Sequence, residues 1–380
     1  MEIKRFLGLD KLLQKKSLFL LGPRGVGKTT LIRQQLGSQA FIIDLLKSDY
    51  ALRLSAHPSE LEFLIEKSSK KLIVIDEIQK VPFLLDEVHR LIEEKRYRFL
   101  LTGSSARKLK RGQSNLLAGR AWNSELYPLT SREITKLELK DYFLRGGLPG
   151  IFLGSDPQED LRAYIRNYLY EEIQAEGIVR KIPAFSRFLE VAALTNGQLL
   201  NYAQIGSDAE VPAPTVREYY QILVDTLLGF LIEPWTKSKK RKAISTAKFY
   251  FFDCGVVHAL QQKISIDENS TDFGRAFEHF IAMELKAYLG YSRSFETLKF
   301  WRSTSQFEVD FIIGDKLGIE VKSKKKITPR DLKNLRALQD EKIIRKCYLV
   351  SQDPIELKKN NIICLHWKNF IQDLWDGKLF

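Results

Sequence analysis

Cysteine is scarce in this sequence, with three residues in 380 at positions 254, 347 and 364. Scattered in this way they match neither a disulfide framework nor a C-x-x-C metal pair, which excludes a cysteine-stapled secreted scaffold and fits a reducing compartment. Each reads as a small buried apolar residue. Histidine is nearly as rare: His57, His89, His258, His279 and His366 show no metal-ligand spacing, and all five are assigned structural roles. Long hydrophobic runs are missing too. The longest, such as Ser17 to Leu21 and Leu72 to Ile75, are strand-sized and far short of the ~20 residues a membrane span needs. The opening stretch MEIKRFLGLDKLLQKK lacks the apolar core and small-residue cleavage site of a signal peptide, so a cytoplasmic location and no membrane partner are expected. Internal repeats and low-complexity segments are absent as well.

What is present is a globular balance, 44% hydrophobic and 28% charged. At 380 residues the chain exceeds the ~250 at which single cores stop growing, which predicts two or three domains. Sixty Lys and Arg against forty-seven Asp and Glu leave a formal charge of +13. The excess is clustered at Lys237 to Lys242 (KSKKRK), Lys322 to Lys326 (KSKKK) and Arg107 to Arg111 (RKLKR). Clustered basic charge favours a polyanionic partner, and DNA is the partner expected.

The first 150 residues alternate strand-like apolar runs (SLFLLG, AFIIDL, KLIVID, YRFLLTG) with helical patterns. That rhythm predicts a parallel sheet covered by helices, with strands buried on both faces. A breaker cluster, GGLPG at Gly146 to Gly150, closes this first domain, 1–150. Residues 151–270 begin as helices, and Phe230 to Trp235 and Lys248 to Phe252 then read as strands flanking KSKKRK. Helices followed by a basic hairpin give the order of a winged helix-turn-helix, with Leu199 to Ile205 and Pro214 to Leu228 as its helices. On that reading Thr215, Arg217, Lys237, Lys239, Lys240, Arg241 and Lys242 are the candidate DNA contacts. Residues 271–380 form a third, small α/β domain: a helix, the runs FEVDFII and LGIEVKS, a basic helix and a strand around CYLVS.

The segment Gly22-Pro23-Arg24-Gly25-Val26-Gly27-Lys28-Thr29-Thr30 fits G-x-x-x-x-G-K-[ST] and stands between an apolar strand and a helix. Glycines let successive backbone N–H groups point at phosphates, and the helix N-terminus adds partial positive charge. In this pattern Lys28 neutralises the β and γ phosphates of ATP and Thr29 offers a hydroxyl to Mg²⁺. The run Leu72 to Ile75 then ends in Asp76-Glu77, two carboxylates at a strand's C-terminal edge, where open α/β sheets bind ligands. Asp76 suits Mg²⁺ and Glu77 suits the base that deprotonates an attacking water. Ser104, after the next strand, is placed to sense the γ-phosphate. Arg120, with Arg107 as the alternative, is the candidate to reach a neighbouring subunit's nucleotide.

GPRGVGKTT, LIVIDEIQKVP, FLLTGSSA, LAGRAWNSELYPL and GGLPG in this spacing resemble the prokaryotic AAA+-type ATPases close to the signal-transduction (STAND) clade. The resemblance implies that Gly147 and Pro149 lie against the adenine and that the chain works as a homo-oligomer, a hexamer among the options. A second sensor arginine of the standard AAA+ lid is not visible in the sequence.

In the last domain Glu278, Asp310, Glu320 and Lys322 give the spacing E…D…ExK. Glu320 and Lys322 share one face of a strand, and Asp310 on a neighbouring strand can converge with Glu320 on a divalent ion, with Glu278 left for a second ion or its water. Such a set suits metal-assisted phosphodiester hydrolysis. It is similar to the restriction-endonuclease-like PD-(D/E)xK fold, without the usual proline and with Phe311 after the aspartate. The combined expectation is an α/β protein with a P-loop core, a helical and winged-helix middle and a nuclease-like end. Its expected work is ATP- and Mg²⁺-driven translocation or remodelling of DNA. The alternatives are an ATP-gated nuclease and a STAND-like signalling or defence switch with a protein partner.

Overall fold

The computed structural model describes residues 3–104, 117, 119–169, 182–344 and 346–380. Arg107 and the basic run around it lie outside the described residues. The chain forms two compact units. The first comprises Met1–Leu129, Leu148–Gly150 and Ile222–Leu228, and the second Thr130–Gly147, Ile151–Gln221 and Gly229–Phe380.

The first unit is built on five strands, β1 (Ser17–Leu21), β2 (Ala40–Asp44), β3 (Leu72–Asp76), β4 (Arg98–Gly103) and β5 (Ala121–Glu125). All its pairings are parallel, in the order β2-β3-β4-β1-β5. The four apolar runs read from the sequence are β1 to β4. The fifth strand, AWNSE, was not foreseen, because only Ser124 of it is buried and an edge strand needs no apolar alternation. Among the described residues five helices accompany this sheet: α1 (Leu9–Leu13), α2 (Lys28–Leu36), α3 (Ser48–Ala56), α4 (Glu60–Ser68) and α5 (Leu84–Lys95). Leu84, Leu85, Val88 and Leu91 recur at helical spacing on α5 and close over Ile73, Ile75, Phe99 and Leu101 in one apolar cluster. Burying such side chains is worth roughly 1.5–3 kcal/mol each, enough to hold the strand ends in fixed register.

The second unit carries an eight-stranded mixed sheet in the order β12-β13-β11-β10-β9-β8-β6-β7. Its strands are β6 (Gly229–Pro234), β7 (Lys248–Phe251), β8 (Leu298–Arg302), β9 (Glu308–Ile313), β10 (Leu317–Lys322), β11 (Lys346–Ser351), β12 (Leu357–Lys359) and β13 (Ile362–His366). The hairpin strands expected for a wing, β6 and β7, pair with each other antiparallel. β6 also runs parallel to β8, so the hairpin extends the same sheet as the C-terminal strands. The helices Tyr202–Ala209 and Ala213–Asp225 precede it. Of the basic run between the two strands, Arg241 is held by Glu341 at 3.1 Å and donates to the Ala337 carbonyl at 2.9 Å. The Lys239 and Lys240 amides donate to Glu341 at 2.7 and 2.6 Å. Lys237, Lys239, Lys240 and Lys242 keep exposed side chains. The helix Thr271–Tyr291 is capped by Ser270, whose side chain accepts from the Phe273 amide, and buries twelve residues along its length. Among the described residues no helix is long and apolar enough to cross a membrane.

Candidate functional site

In the first unit β4 lies between β1 and β3. The loop after β1, the tip of β3 and Thr102 on β4 therefore meet at one sheet edge. The loop itself depends on glycine. A Cβ at Gly22 would stand 2.6 Å from the Leu126 carbonyl oxygen, and Gly27 has a φ of +91°, in the left-handed region that L side chains avoid. Gly22, Pro23, Val26 and Lys28 are buried, whereas Arg24, Gly25 and Thr30 face solvent. Lys28 opens α2, and its Nζ donates to the carbonyls of Gly22 at 2.7 Å and Pro23 at 3.2 Å. The ammonium thus lies inside the curl of the loop. Pro149 Cγ approaches within 3.7 Å of where a Gly27 Cβ would be. That proximity brings the GGLPG proline to the P-loop.

Asp76 is buried and held from two sides. Thr29 Oγ1 donates to its Oδ2 at 2.8 Å, and Thr102 Oγ1 donates to its Oδ1. Thr102 also accepts from the Glu77 amide at 3.0 Å. Glu77 itself sits at φ 60°, ψ 46°, a left-handed conformation that costs a non-glycine residue on the order of 1 kcal/mol. Its carboxylate accepts from Gln79 Nε2, which also reaches Ser104 Oγ at 3.1 Å. The amide oxygen of Gln79 is buried with no partner. Sequence reading singled out Ser104; the β4 hydroxyl that reaches Asp76 is Thr102, and Ser104 stands one link away, beyond Gln79. Arg120 pairs with Glu93 on its own surface.

Arg5 is one residue that sequence reasoning missed. It is buried, and its guanidinium donates to the carbonyls of Val26 and Tyr127, each at 2.6 Å. It clamps the loop just ahead of Lys28. No motif announces it, since it lies upstream of every recognisable pattern.

The donors suit Mg²⁺: Thr29 and Asp76 are hard oxygen ligands already in mutual contact, and this ion takes few protein ligands when phosphates and water supply the rest. Across both units, no group of three or more His, Cys, Asp or Glu side chains among the described residues is arranged to hold a metal.

In the second unit the E…D…ExK residues lie on neighbouring elements: Glu278 on the long helix, Asp310 on β9, and Glu320 and Lys322 on the adjacent β10. Lys322 Nζ meets Glu320 Oε1 at 2.6 Å, Asn334 donates to the same oxygen at 3.1 Å, and Asp310 accepts from the Val321 amide at 2.7 Å. Glu320 Oε2 is buried without a partner. Burial, then the charges of Glu320 and Glu278, push Asp310 well above the ordinary carboxylate range. Burial raises Glu320 too, against the pull of Lys322. If this pair were to take a divalent ion, Asp310 and the unpartnered Glu320 Oε2 are the oxygens that would hold it, whereas Glu278 Oε1 accepts from Tyr250 and Lys248. Buried His279 donates from Nε2 to the Phe251 carbonyl at 2.7 Å, and burial lowers its pKa to about 4. All three cysteines are buried and free.

Among the DNA-contact candidates, Arg217 is exposed and packs over the Tyr202 ring, 5.1 Å from its centroid, while Thr215 is half-buried.

The parallel sheet, the glycine loop and the acidic strand tip define a P-loop nucleotide-binding domain. Comparison with known proteins agrees: residues 14–135 match the family model described as AAA domain, which supports an AAA-type P-loop ATPase. Residues 136–269 match a domain of unknown function (DUF8612), and residues 273–370 match another (DUF4143). An uncharacterized protein of Mycobacterium tuberculosis is 29% identical over 344 residues, covering 86% of this chain and 75% of that one. An uncharacterized protein of Methanocaldococcus jannaschii is 26% identical, covering 97% and 87%. Among solved structures, the replication initiator DnaA bound to AMPPCP and single-stranded DNA aligns at a TM-score of 0.29 and 13% identity, covering 56% of this chain and 84% of that one.

Proposed function

We propose that this chain is a Mg²⁺-dependent ATPase that binds DNA and couples hydrolysis to translocation on DNA or its remodelling as a homo-oligomer. The observation that carries the hydrolytic part is the meeting of the Lys28 loop, Thr29 and the Asp76-Glu77 tip at one sheet edge. Loop amides and the Lys28 ammonium bind the triphosphate, Lys28 exchanging its carbonyl partners for phosphate oxygens. Pro149 packs against the nucleotide's base. Thr29 and Asp76 hold Mg²⁺, which when bound supplies charge neutralisation at the phosphates. Glu77 takes the proton of the attacking water, oriented by Gln79, and Ser104 senses the γ-phosphate through that amide. Arg120 leaves Glu93 to reach the nucleotide of a neighbouring copy.

For DNA the support is the charge of +13 and the exposed Lys237, Lys239, Lys240 and Lys242. Glu77→Gln is expected to retain ATP while phosphate release falls ~10²–10⁴-fold; unimpaired turnover would contradict the base assignment. DNA affinity is expected to fall steeply as salt rises, through counterion release. Absence of DNA binding at low salt, with turnover unmoved by single-stranded, duplex or junction DNA, would remove the DNA part and favour a protein-sensing switch.

A second reading, an ATP-gated nuclease, is favoured by the orphaned Glu320 oxygen beside Asp310 and Lys322. Plasmid nicking with Mg²⁺ or Mn²⁺ that is equal in the wild type and in Asp310→Ala would sink it.

A further inference from the structure

Lys248, the first residue of β7, is almost completely buried and belongs to no motif in the sequence. Its Nζ lies 3.3 Å from Glu278 Oε1 and 2.7 Å from Glu308 Oε1. Tyr250, two residues along the same strand face, donates to Glu278 Oε1 at 2.5 Å. Arg302 closes on Glu308 Oε2 at 3.2 Å. Three of the four carboxylate oxygens of this glutamate pair are therefore engaged by a fixed cation or hydroxyl. The stem of Lys248 is boxed in as well, its ammonium 5.3 Å from the centre of the Phe300 ring.

We infer that Lys248 is a built-in cation occupying the place where a divalent ion would bridge Glu278 and Glu308, so that the carboxylate cluster of the second unit takes one metal ion at most. This rests on the nuclease-like reading only for the remaining ion, the one assigned to Asp310 and Glu320. A divalent ion needs carboxylate oxygens at roughly 2.0–2.6 Å, and the lysine nitrogen stands against the oxygens it would use. Expelling the ammonium is unfavourable, since it would leave the two carboxylates it bridges without their shared partner. Lys248 also positions Glu278: it fixes the carboxylate beside Tyr250 and away from the metal role that the E…D…ExK spacing suggests. A cavity of about 330 Å³, lined in part by Lys248, Arg275, Glu278, Arg302 and Glu308, opens beside the pair and provides an ion with a route and room.

The test is the number of Mn²⁺ ions bound per nucleotide-free full-length chain, read from the free-ion electron paramagnetic resonance signal. Glu278→Gln is expected to leave the wild-type stoichiometry unchanged, because Glu278 holds no ion. Lys248→Met, which keeps the apolar stem, is expected to gain one ion, and Lys248→Met with Glu278→Gln to lose that gain. Loss of an ion in Glu278→Gln alone, or no gain in a folded Lys248→Met, overturns the inference. Should Lys248→Met fail to fold, Glu278→Gln decides by itself. Asp310→Asn separates the underlying reading: an unchanged count there would end the nuclease-like assignment and leave the Lys248 result standing.

Discussion

Replacing Arg5 with alanine tests whether the loop geometry is held from outside the motif. The guanidinium makes two hydrogen bonds at 2.6 Å to the carbonyls of Val26 and Tyr127, and it is buried. A hydrogen bond to a charged group contributes about 1.5–3 kcal/mol, so the pair amounts to roughly 3–6 kcal/mol before relaxation. Water entering the vacated space satisfies part of the freed carbonyls, which brings the expected destabilisation to about 3 kcal/mol. That is a large fraction of the ~5–15 kcal/mol of a typical domain. If about 1.4 kcal/mol of it falls on ordering the loop for the triphosphate, the ATP dissociation constant rises tenfold. Urea titration gives the first quantity, and binding of a fluorescent ATP analogue at fixed Mg²⁺ gives the second. Arg5→Lys, with the charge but without the two-pronged reach, is expected to recover less than half of each loss. An Arg5→Ala protein that loses stability but binds ATP as the wild type does would refute the claim that Arg5 shapes the loop. Unchanged stability would refute the energetic argument altogether.

Burial pushes Glu284 up to about 7 and Asp253 up to about 6. Both folded values exceed the ordinary carboxylate range, so the folded state binds more protons, and their contribution is complete below pH 4 and lost as pH rises through 6 to 7. For Glu284 the span from 4.5 to about 7 corresponds to roughly 3 kcal/mol. Urea midpoints should therefore fall across that window, and Glu284→Gln should flatten the Glu284 share; an unaltered slope in that variant would show that another group sets it. The basic run should divide in two. Lys237, Lys239, Lys240 and Lys242 changed together to alanine should weaken DNA binding and shallow its salt dependence without moving the urea midpoint. Arg241→Ala should instead destabilise by about 2 kcal/mol, since buried Glu341 loses a charged hydrogen-bond partner but keeps the Lys239 and Lys240 amides; equal effects on both readouts from the two variants would contradict this division.

Much of the nucleotide site was legible because P-loop chemistry is written locally. Gly22, Gly27, Lys28 and Thr29 lie within one turn of chain, and Asp76 and Glu77 end an unmistakable apolar strand. Their neighbours were harder to read. Thr102 and Ser104 are both small hydroxyls at the end of one strand, and only the register of β4 between β1 and β3 puts Thr102 on Asp76. The β6–β7 hairpin was visible as two strands, but the parallel pairing of β6 to β8 spans more than sixty residues and has no local signature.

By itself the amino-acid sequence determined the parallel α/β order, the glycine loop, the acidic strand tip and the pairing of Glu320 with Lys322 across one strand face. Each follows from backbone sterics or side-chain period over a few consecutive residues. Only the tertiary structure decided that Arg5 clamps the loop, that Gln79 joins Glu77 to Ser104, and that Lys248 lies between Glu278 and Glu308. Those contacts depend on strand register and on how helices settle over buried faces, so charges far apart in the chain become neighbours only after the cores have packed.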